Sequence, residues 1–395
     1  MVFIIYTLRY MSINKVNQKE HLSLITSESV GIGHPDKICD QISDQILTAC
    51  LKTDKNSRVA CEVFASNHLI VIGGEITTKA YVDAVKTAWD ILLPLGYSEN
   101  DFTILSNINK QSIEISQHVN KRNSFGAGDI GIVYGYATNE TKEYLPLPYI
   151  IASKIMHKVN TLTMQNKLLG ANYDSKCQVT CFYNEHHKPV GIDSVIISLQ
   201  HKKDANLKKL FSDVKKLVVL PIIKSYDLNK DFNFNINNGG SFILGGPFGD
   251  TGLTGRKLMV DTYGTISHHG GGAFSGKDYT KVDRTGAYIA RYIAKNMVAA
   301  GIADIMEVQM CYNIGSEYPE SININCLNTN KVPMNKVYDI INKVFNLNLL
   351  YMIKKFDMPN LPYSNYTLYG HFTEIVCSKP WEQLDKVEKI KKFSK

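Results

Sequence analysis

The sequence predicts an α+β protein built from three similar α/β units. Each third of the chain contains a strand with alternating apolar residues, followed closely by a second apolar run. The strands span residues 58–66, 176–184 and 305–314, and the runs that follow span 68–72, 190–199 and 321–326. No sequence repeat at a fixed period accompanies this order, so the similarity of the units is architectural.

Two helices are predicted beside glycine-rich or His-Pro turns. The first begins at Pro35, which suits the first turn of a helix, and its apolar residues recur at helical spacing. The second begins near Asp283, carries an apolar stripe from Ala290 to Val298 and stops before Gly301. Because a helix N-terminus presents unpaired N–H groups and the positive end of a dipole, both starts are suited to an anion.

Length and composition indicate a globular protein of several domains. At 395 residues, 44% of them hydrophobic, the chain can supply a core to two or three domains. We predict an N-terminal extension (1–20), three α/β domains (21–122, 123–243 and 244–385) and a basic tail (386–395). The apolar N-terminus is too short to span a bilayer and lacks the features of a signal peptide, so no membrane partner is expected.

Charge and cysteine content argue against a nucleic-acid-binding protein, a zinc protein and a disulfide-bonded protein. The chain has 44 Lys and Arg against 37 Asp and Glu, and the resulting charge of +7 is spread along it. Nucleic acid is therefore not an expected partner, because such proteins cluster their basic residues. The eight cysteines include no C-x-x-C pair, which argues against a zinc site or a disulfide scaffold. We expect reduced, mostly buried thiols and a cytoplasmic protein.

The first motif with chemical potential is SESVGIGHPDK, residues 27–37. It places His34, Asp36 and Lys37 at the start of the first predicted helix. A carboxylate can hold a hard divalent cation, and His and Lys side chains can contact phosphate oxygens, so the trio suits a metal-bound polyphosphate. The alternative is structural: His34 caps the helix and Asp36 complements its dipole.

The second motif is GGPFGDTGLTGRKLMVDTYG, residues 245–264. Its glycines allow the backbone to approach a ligand closely, Asp250 adds an acceptor, and Arg256 and Lys257 supply positive charge. The alternative is a glycine-rich hairpin with a solvated basic end.

The third motif is HHGGGAFSGKDYTKVDR, residues 268–284. Its G-x-x-x-x-G-K stretch ends at Lys277, but Asp278 stands where a P-loop needs Ser or Thr, and no buried apolar strand precedes the glycines. We therefore predict a different kind of phosphate site, in which Lys277 and Lys281 bind phosphates and Asp283 binds a cation.

A fourth and weaker group comprises residues 126–141 with Glu62 and Glu75, for which ordinary turns and strands are the alternative.

Taken together, these motifs resemble those of the S-adenosylmethionine synthetase (methionine adenosyltransferase) family. The matches SES...GHPDK, GGEIT, GAGD, GGP-GD-GLTGRK-VDTYG and GGGAFSGKD-TKVDR occur in order between residues 21 and 381. The resemblance implies approximate internal threefold symmetry among the units. It also implies a homo-oligomer, either a dimer or a dimer of dimers, with active sites shared between subunits.

The resemblance implies roles for individual residues. The catalytic residues would be His34, Lys176, Arg256 and Lys277. ATP would be bound by His34, Asp174, Ser175, Lys176, Ser241, Phe242, Asp250, Arg256, Lys257, Ala273 and Lys277. Methionine would be bound by Glu75, Gln111, Asp250 and Lys281. The metal ligands would be Asp36 and Asp283 for Mg²⁺, with two ions expected in each active site, and Glu62 for one K⁺.

The implied reaction joins ATP and L-methionine. The methionine sulfur attacks C5′ of ATP, the whole tripolyphosphate leaves, and it is then hydrolysed to pyrophosphate and phosphate. A thioether has no proton to lose, which agrees with the lack of a Ser-His-Asp or Cys-His arrangement in the motifs.

The chain departs from the family pattern at several positions, and we expect these to affect gating and methionine affinity more than the polyphosphate residues. The departures are KQSIEI in place of K-Q-S-P-D-I at 110–115 (Ile113 and Glu114), Asn120 for Asp, Ile130 for Gln, Ser241 for Arg and Tyr279 for Pro.

Two other functions remain open from the residues alone. A P-loop kinase or NTPase would use the same lysine but release ADP. A basic protein that binds RNA or membrane would show clustered Lys and Arg with exposed aromatic residues, and residues 386–395, KVEKIKKFSK, form such a cluster.

Overall fold

The structure is a computed structural model that describes residues 22–110, 120–121, 124–229 and 231–395. The predicted N-terminal extension and the predicted loop residues Gln111, Ile113 and Glu114 lie outside the described residues. In chain order, strands β1 to β13 of the described residues are Ser23–Val30, Arg58–Ser66, Leu69–Thr77, Thr103–Asn109, Asn120–Lys121, Ser124–Phe125, Gly131–Thr138, Ala171–Tyr183, Pro189–His201, Asn233–Ile236, Gly252–Leu253, Ile305–Tyr312 and Ser321–Asn325.

Helices α1 to α10 lie between these strands or follow the last of them. In chain order they are Pro35–Thr53, Ala84–Leu92, Leu147–Met164, Leu207–Asp213, Leu220–Lys224, Leu258–Asp261, Val282–Ala299, Met334–Val344, Leu349–Lys355 and Val387–Ser394. A π-helical stretch, Val214–Val219, joins α4 to α5. None of the helices in the described part of the chain is long and apolar enough to cross a membrane.

The predicted strand pairs are confirmed. β2 has the predicted bounds and pairs antiparallel with β3, and β8 pairs in the same way with β9 and β12 with β13. Several bounds differ from the prediction by one or two residues, and two differ by five: β8 begins at Ala171 rather than at 176, and β3 continues to Thr77 rather than ending at 72. Both helices predicted from the sequence are also present, as α1 and α7.

Each of the three larger sheets contains one strand from a different third of the chain. β1 joins the sheet β1-β8-β9-β10 of the central third, and β7 joins the sheet β13-β12-β7 of the last third. β11, from the last third, pairs with β2 in the sheet β11-β2-β3-β4 of the first third. The three thirds are therefore linked through their sheets, and approximate threefold symmetry stays a prediction.

One long helix covers each sheet. α1 packs on β2, α3 packs on β8 and β1, and α7 packs on β7 and β12. Ile38, Ile42 and Ile46 of α1 are fully buried and share the core with Val59 and Val63 of β2. Burying each such side chain stabilises the fold by about 1.5–3 kcal/mol, so the apolar faces seen in the sequence determine which side of α1 meets the sheet. All eight cysteines are free thiols, and most of them are buried, as predicted.

Glu140 is a partly buried carboxyl group near the start of α3. Its Oε1 accepts hydrogen bonds from Tyr183 Oη at 2.7 Å and from Leu147 N at 2.5 Å. Burial raises the pKa of Glu140 to about 7, although these hydrogen bonds oppose the shift. Because the folded state holds this proton more tightly than the unfolded chain does, Glu140 lowers stability as the pH rises from its ordinary pKa of 4.5 towards 7.

We expect Glu140→Gln to be more stable than the parent by about 1–3 kcal/mol at about pH 8 and nearly equal to it at about pH 5. Glutamine keeps a carbonyl oxygen that can accept both hydrogen bonds, and it has no proton to lose. Urea-induced unfolding of both proteins at the two pH values measures the difference. A difference that does not change with pH would contradict the expectation.

Candidate active site

The first motif folds as a tight turn followed by the N-terminus of α1. Gly33 N donates to Tyr173 O at 3.1 Å, so the turn lies against β8. A Cβ on Gly33 would come within 2.7 Å of the Tyr173 carbonyl carbon, so a larger residue would push the two segments apart. This close approach brings the start of α1 beside Asp174 and Lys176 on β8.

His34 caps α1 with a neutral imidazole. Its Nδ1 accepts a hydrogen bond from Asp36 N at 3.2 Å. Burial lowers the pKa of His34 to about 4, and the positive charge of Lys257 acts in the same direction while Asp36 opposes it. Because Nδ1 is the acceptor, the proton of the neutral ring is on Nε2 and can be donated to an oxygen of a ligand. The capping role is thus confirmed, and the Nε2–H group stays available for chemistry.

The carboxylate of Asp36 joins α1 to the glycine-rich second motif. Its Oδ1 accepts from Leu253 N at 2.9 Å, and its Oδ2 lies 2.5 Å from Lys257 Nζ. Arg256 Nε lies 3.7 Å from Oδ1, and its side chain is half exposed. Two cations therefore stand beside one buried carboxylate at a helix N-terminus, and the excess of positive charge suits a polyanion.

Asp174 and Asp250 lie close to this cluster. Asp174 Oδ2 accepts from Gly246 N at 2.7 Å. Burial raises the pKa of Asp174 to about 6 against this hydrogen bond, and the charge of the exposed Asp250 also raises it. A cleft of about 490 Å³ opens beside Asp174. Its lining includes Gly33, Tyr97, Tyr173 and Phe248.

Lys176 pairs with a residue that the sequence analysis missed. Its Nζ lies 2.6 Å from Glu28 Oε2, and Gln178 Nε2 donates to the same oxygen at 3.2 Å. Burial opposes ionisation of Glu28, but Lys176 and Gln178 hold its pKa below the ordinary value. Its position within the SES part of the first motif was the signal that could have found it. The neighbouring Ser175 is buried.

The third motif forms a second cluster of ion pairs. Lys277 Nζ lies 2.6 Å from Asp283 Oδ2, and both side chains are partly exposed. Lys281 Nζ lies 2.6 Å from Asp278 Oδ2, which also accepts from Val59 N at 2.6 Å. Burial opposes ionisation of Asp278, but Lys281 keeps its pKa below the ordinary value. Asp278 therefore holds the loop against β2 and does not face a ligand.

Tyr279, which departs from the family pattern, anchors the same loop. Its hydroxyl donates to Lys55 O at 2.8 Å and accepts from Arg58 Nη1 at 3.3 Å. The ring is buried, and the Arg58 guanidinium lies 5.6 Å from its centroid. The larger side chain thus ties the loop to the connection between α1 and β2.

Gly276 determines where this loop meets β2. Its N donates to Asp44 Oδ1 at 2.8 Å, its O accepts from Cys61 N at 3.0 Å, and its φ of +77° lies in the left-handed region. A Cβ at this position would lie 1.9 Å from Cys61 O. No shift of a side chain could relieve that contact, because the obstacle is backbone.

We expect Gly276→Ala to destabilise the protein by at least about 2 kcal/mol and to displace Lys277 from its place. Gly271→Ala is the matched control, since Gly271 has a φ of +87° but no atom lies within 4 Å of a Cβ placed there. The control should be destabilised only by the backbone strain of alanine at positive φ, about 1 kcal/mol. Equal losses for the two variants in urea-induced unfolding would show that the contact with Cys61 does not matter.

The remaining predicted ligand residues are more exposed. Glu62 and Glu75 are exposed on the neighbouring strands β2 and β3. Ser241 is exposed, Phe242 is half-buried, and Ala273 lies against Gly255, where an added Cβ would come within 2.3 Å of the alanine methyl.

The structure separates the predicted site residues into two groups. The helix-cap group comprises His34, Asp36, Lys176, Arg256 and Lys257, and the glycine-loop group comprises Lys277, Lys281 and Asp283. Within the ranges that the structure describes, no hydrogen bond or ion pair joins one group to the other. Asp44, which holds the glycine loop, lies about 12 Å from Asp36 along the axis of α1.

Comparison with known proteins identifies the family. Three family models match consecutive parts of the chain: the S-adenosylmethionine synthetase N-terminal domain over residues 22–123, the central domain over 124–242 and the C-terminal domain over 244–383. The chain belongs to the S-adenosylmethionine synthetase family. The resemblance found from the sequence motifs is thereby confirmed.

Curated relatives cover nearly the whole chain. The S-adenosylmethionine synthase of Mycoplasmopsis pulmonis is 53% identical over 94% of this chain and 99% of its own length. Those of Mycoplasma genitalium and Clostridium botulinum are 48% and 42% identical, over 92% and 94% of this chain and 94% and 99% of their own lengths. The chain is therefore an enzyme of the synthetase family, and its alignment with them extends well beyond the motifs.

In this chain, α1 carries three aspartates, which we call the carboxylate ladder and which the sequence analysis did not recognise. Asp36, Asp40 and Asp44 recur at every fourth residue, and each accepts a hydrogen bond from a backbone N–H in the last third of the chain. The donors are Leu253 at 2.9 Å, Gly255 at 2.8 Å and Gly276 at 2.8 Å. The spacing D-x-x-x-D-x-x-x-D among apolar residues was the available signal. Both glycine-rich motifs of the chain are thus held on one helix.

Two buried cations balance the ladder. Arg284 Nη1 and Nη2 bind Asp44 Oδ1 and Oδ2 at 2.7 and 3.0 Å. Lys37 Nζ lies 3.0 Å from Asp40 Oδ2, donates to Thr367 O at 2.8 Å and also contacts Asp261 Oδ1. The prediction that Lys37 contacts phosphate is wrong, because its side chain is only 1% exposed and its ammonium is bound by Asp40, Asp261 and Thr367 O.

Proposed function

We propose that this chain synthesises S-adenosyl-L-methionine from L-methionine and ATP, by attack of the methionine sulfur on C5′ of ATP followed by hydrolysis of the tripolyphosphate to pyrophosphate and phosphate. The observation that carries the proposal is the helix-cap group at the start of α1, in which Lys257 and Lys176 act on a neutral His34 while Arg256 and Lys257 lie beside Asp36. Family membership supports it.

The charges of this group suit the leaving group. Tripolyphosphate gathers negative charge as the C5′–O bond breaks, so lysine and arginine side chains already in place stabilise the transition state more than the ground state. His34 would donate its Nε2–H to the departing oxygen. Lys277 would face the polyphosphate, and the nucleotide would contact Asp174, Ser175, Ser241, Phe242 and Ala273. Glu75, Gln111, Asp250 and Lys281 would hold methionine.

Metal ions belong to the same proposal. The described residues contain no cluster of three or more His, Cys, Asp or Glu that could bind a metal by themselves. Mg²⁺ commonly takes one or two carboxylates and completes its shell with substrate phosphates and water, so Asp36 and Asp283 fit as single ligands. Two Mg²⁺ ions bound there would neutralise phosphate charge, and Glu62 would contribute to a K⁺ site. In the structure Lys257 is paired with Asp36 and Lys277 with Asp283. When Mg²⁺ binds these carboxylates, the two lysines would turn towards the phosphates of the substrate.

The separation of the two groups supports a shared active site. The helix-cap group and the glycine-loop group both carry positive charge suited to phosphate, yet within the described residues no hydrogen bond or ion pair joins them. We propose that the helix-cap group of one subunit faces the glycine-loop group of another in a homodimer or a dimer of dimers. A cytoplasmic location and the lack of nucleic-acid and membrane partners stay predictions.

Product analysis with radiolabelled methionine, ATP, Mg²⁺ and K⁺ tests the function. We expect labelled S-adenosylmethionine together with pyrophosphate and phosphate, and we expect both phosphate products to disappear when methionine is left out. Release of ADP independent of methionine would instead favour an NTPase. Formation of no S-adenosylmethionine under these conditions would reject the proposal.

A further inference from the structure

We propose that Lys37 is a positioning residue that holds the helix-cap group in place without touching a ligand. The inference rests on the proposed function. Lys37 follows Asp36 directly, but its side chain is only 1% exposed and runs into the protein. Any effect on the reaction must therefore pass through other residues.

The ammonium group of Lys37 connects three separate parts of the chain. Its partners are Asp40 one turn further along α1, Asp261 at the end of α6, and Thr367 O in the last third. Burial opposes the charge of Lys37, but Asp261 and Asp40 together hold its pKa above the ordinary value. Through these contacts the ammonium fastens α1 to α6.

The contacts of Lys37 close a ring around the helix-cap group. Asp261 N donates to Lys257 O at 2.9 Å, so α6 joins the Lys37 contact directly to the backbone of Lys257. Lys257 Nζ in turn lies 2.5 Å from Asp36 Oδ2, and Asp36 precedes Lys37 in the chain. Two candidate ligand groups, Asp36 and Lys257, therefore belong to a closed ring whose buried half is the Lys37–Asp261 ion pair.

Breaking the buried half of the ring should move Lys257 relative to Asp36. A misplacement of about 1 Å in a site that acts by positioning can cost about 100-fold in rate. A purely structural ion pair would affect stability in the same way but would have no effect on catalysis by the molecules that remain folded. The two roles can be separated by removing both charges together.

The test compares Lys37→Met/Asp261→Asn with the parent. The double change removes one charge of each sign, so the net charge of the buried cluster is unchanged. We expect a lower melting temperature, because the buried carboxylate of Asp40 loses its cation. At a temperature where both proteins are folded, we expect a kcat lower by about 100-fold and binding of magnesium tripolyphosphate, measured by calorimetry, weaker by at least about tenfold. A kcat and a tripolyphosphate affinity that are both within about twofold of the parent's would overturn the proposal.

A control pair and a second variant complete the experiment. Lys154→Met/Glu143→Gln removes a partly buried lysine–carboxylate pair outside the site, with its atoms 2.7 Å apart, and should leave kcat unchanged. Should the first variant fail to fold, Asp261→Leu cuts the link to α6 while Lys37 stays paired with Asp40. Parent-like tripolyphosphate binding by Asp261→Leu would overturn the proposal. A parent that binds tripolyphosphate but forms no S-adenosylmethionine would reject the function while the binding data still test Lys37.

Discussion

Lys277→Ala is expected to lower the rate of S-adenosylmethionine formation by about 100-fold or more while the fold persists. The Lys277 side chain is 22% exposed and its ion-pair partner, Asp283, is 19% exposed, so the variant leaves no unpaired charge in the core. The loss falls instead on the transition state, because a fixed positive charge no longer meets the leaving polyphosphate. Single-turnover kinetics with ATP and labelled methionine measures the first step directly.

Lys86→Ala is the matched control for this prediction. Lys86 forms an ion pair of 3.0 Å with Asp90 on the exposed face of α2, so its removal tests the loss of a lysine–aspartate pair outside the site. Both variants should unfold at urea concentrations close to that of the parent, since exposed pairs contribute about 1 kcal/mol or less. Turnover by Lys277→Ala within a few-fold of the parent would show that the third motif does not bind the polyphosphate.

Arg284→Met is expected to destabilise the protein by about 3–5 kcal/mol. Arg284 and Asp44 are both fully buried, and the variant would leave the Asp44 carboxylate without its bidentate partner. Arg284 Nη1 also donates to Phe274 O at 2.9 Å, so the glycine loop would lose a second anchor. Urea-induced unfolding measures the loss, and it should be accompanied by lower activity because the loop carries Lys277.

The double variant Arg284→Met/Asp44→Leu separates the cost of a buried charge from the value of the pair. It should regain at least about 2 kcal/mol relative to Arg284→Met, because no unpaired carboxylate remains in the core. It should not regain full stability, since Thr367 Oγ1 and Gly276 N lose their acceptor at 2.9 and 2.8 Å. A double variant no more stable than the single one would mean that the unpaired charge is not the cause.

Local patterns in the sequence were enough to predict the elements but not the way the sheets are assembled. β2 was predicted with the correct bounds because alternating apolar residues fill its whole length. β8 begins earlier than predicted, in the polar stretch before Lys176, where its pairing with β9 is irregular between Ala171 and Ser175. Polar residues there face the cleft beside Asp174, so periodicity could not indicate a strand.

The exchange of strands between thirds was also invisible in the sequence. β1 carries the SES part of the first motif, and its partner β8 follows far along the chain. An alternating pattern of eight residues does not indicate which strand, far along the chain, will pair with β1. That pairing depends on how the whole core packs. Glu28 and Lys176 meet only because β1 and β8 are neighbours.

For this protein the sequence by itself determined the family, the order of the α/β elements and the identity of the residues in the three motifs. Those features depend on residue types at short spacing along the chain. They can therefore be recognised without knowing which distant residues are in contact. Only the tertiary structure decided which charges face a ligand and which lie in the core. Lys37 looked like a phosphate residue in its motif, and Asp278 stood at the P-loop position of Ser or Thr, yet both are buried, at 1% and 0% exposure, and paired with Asp261 and Lys281. Burying a charge is costly without a partner, and the partner of Lys37 on α6 comes from far along the chain.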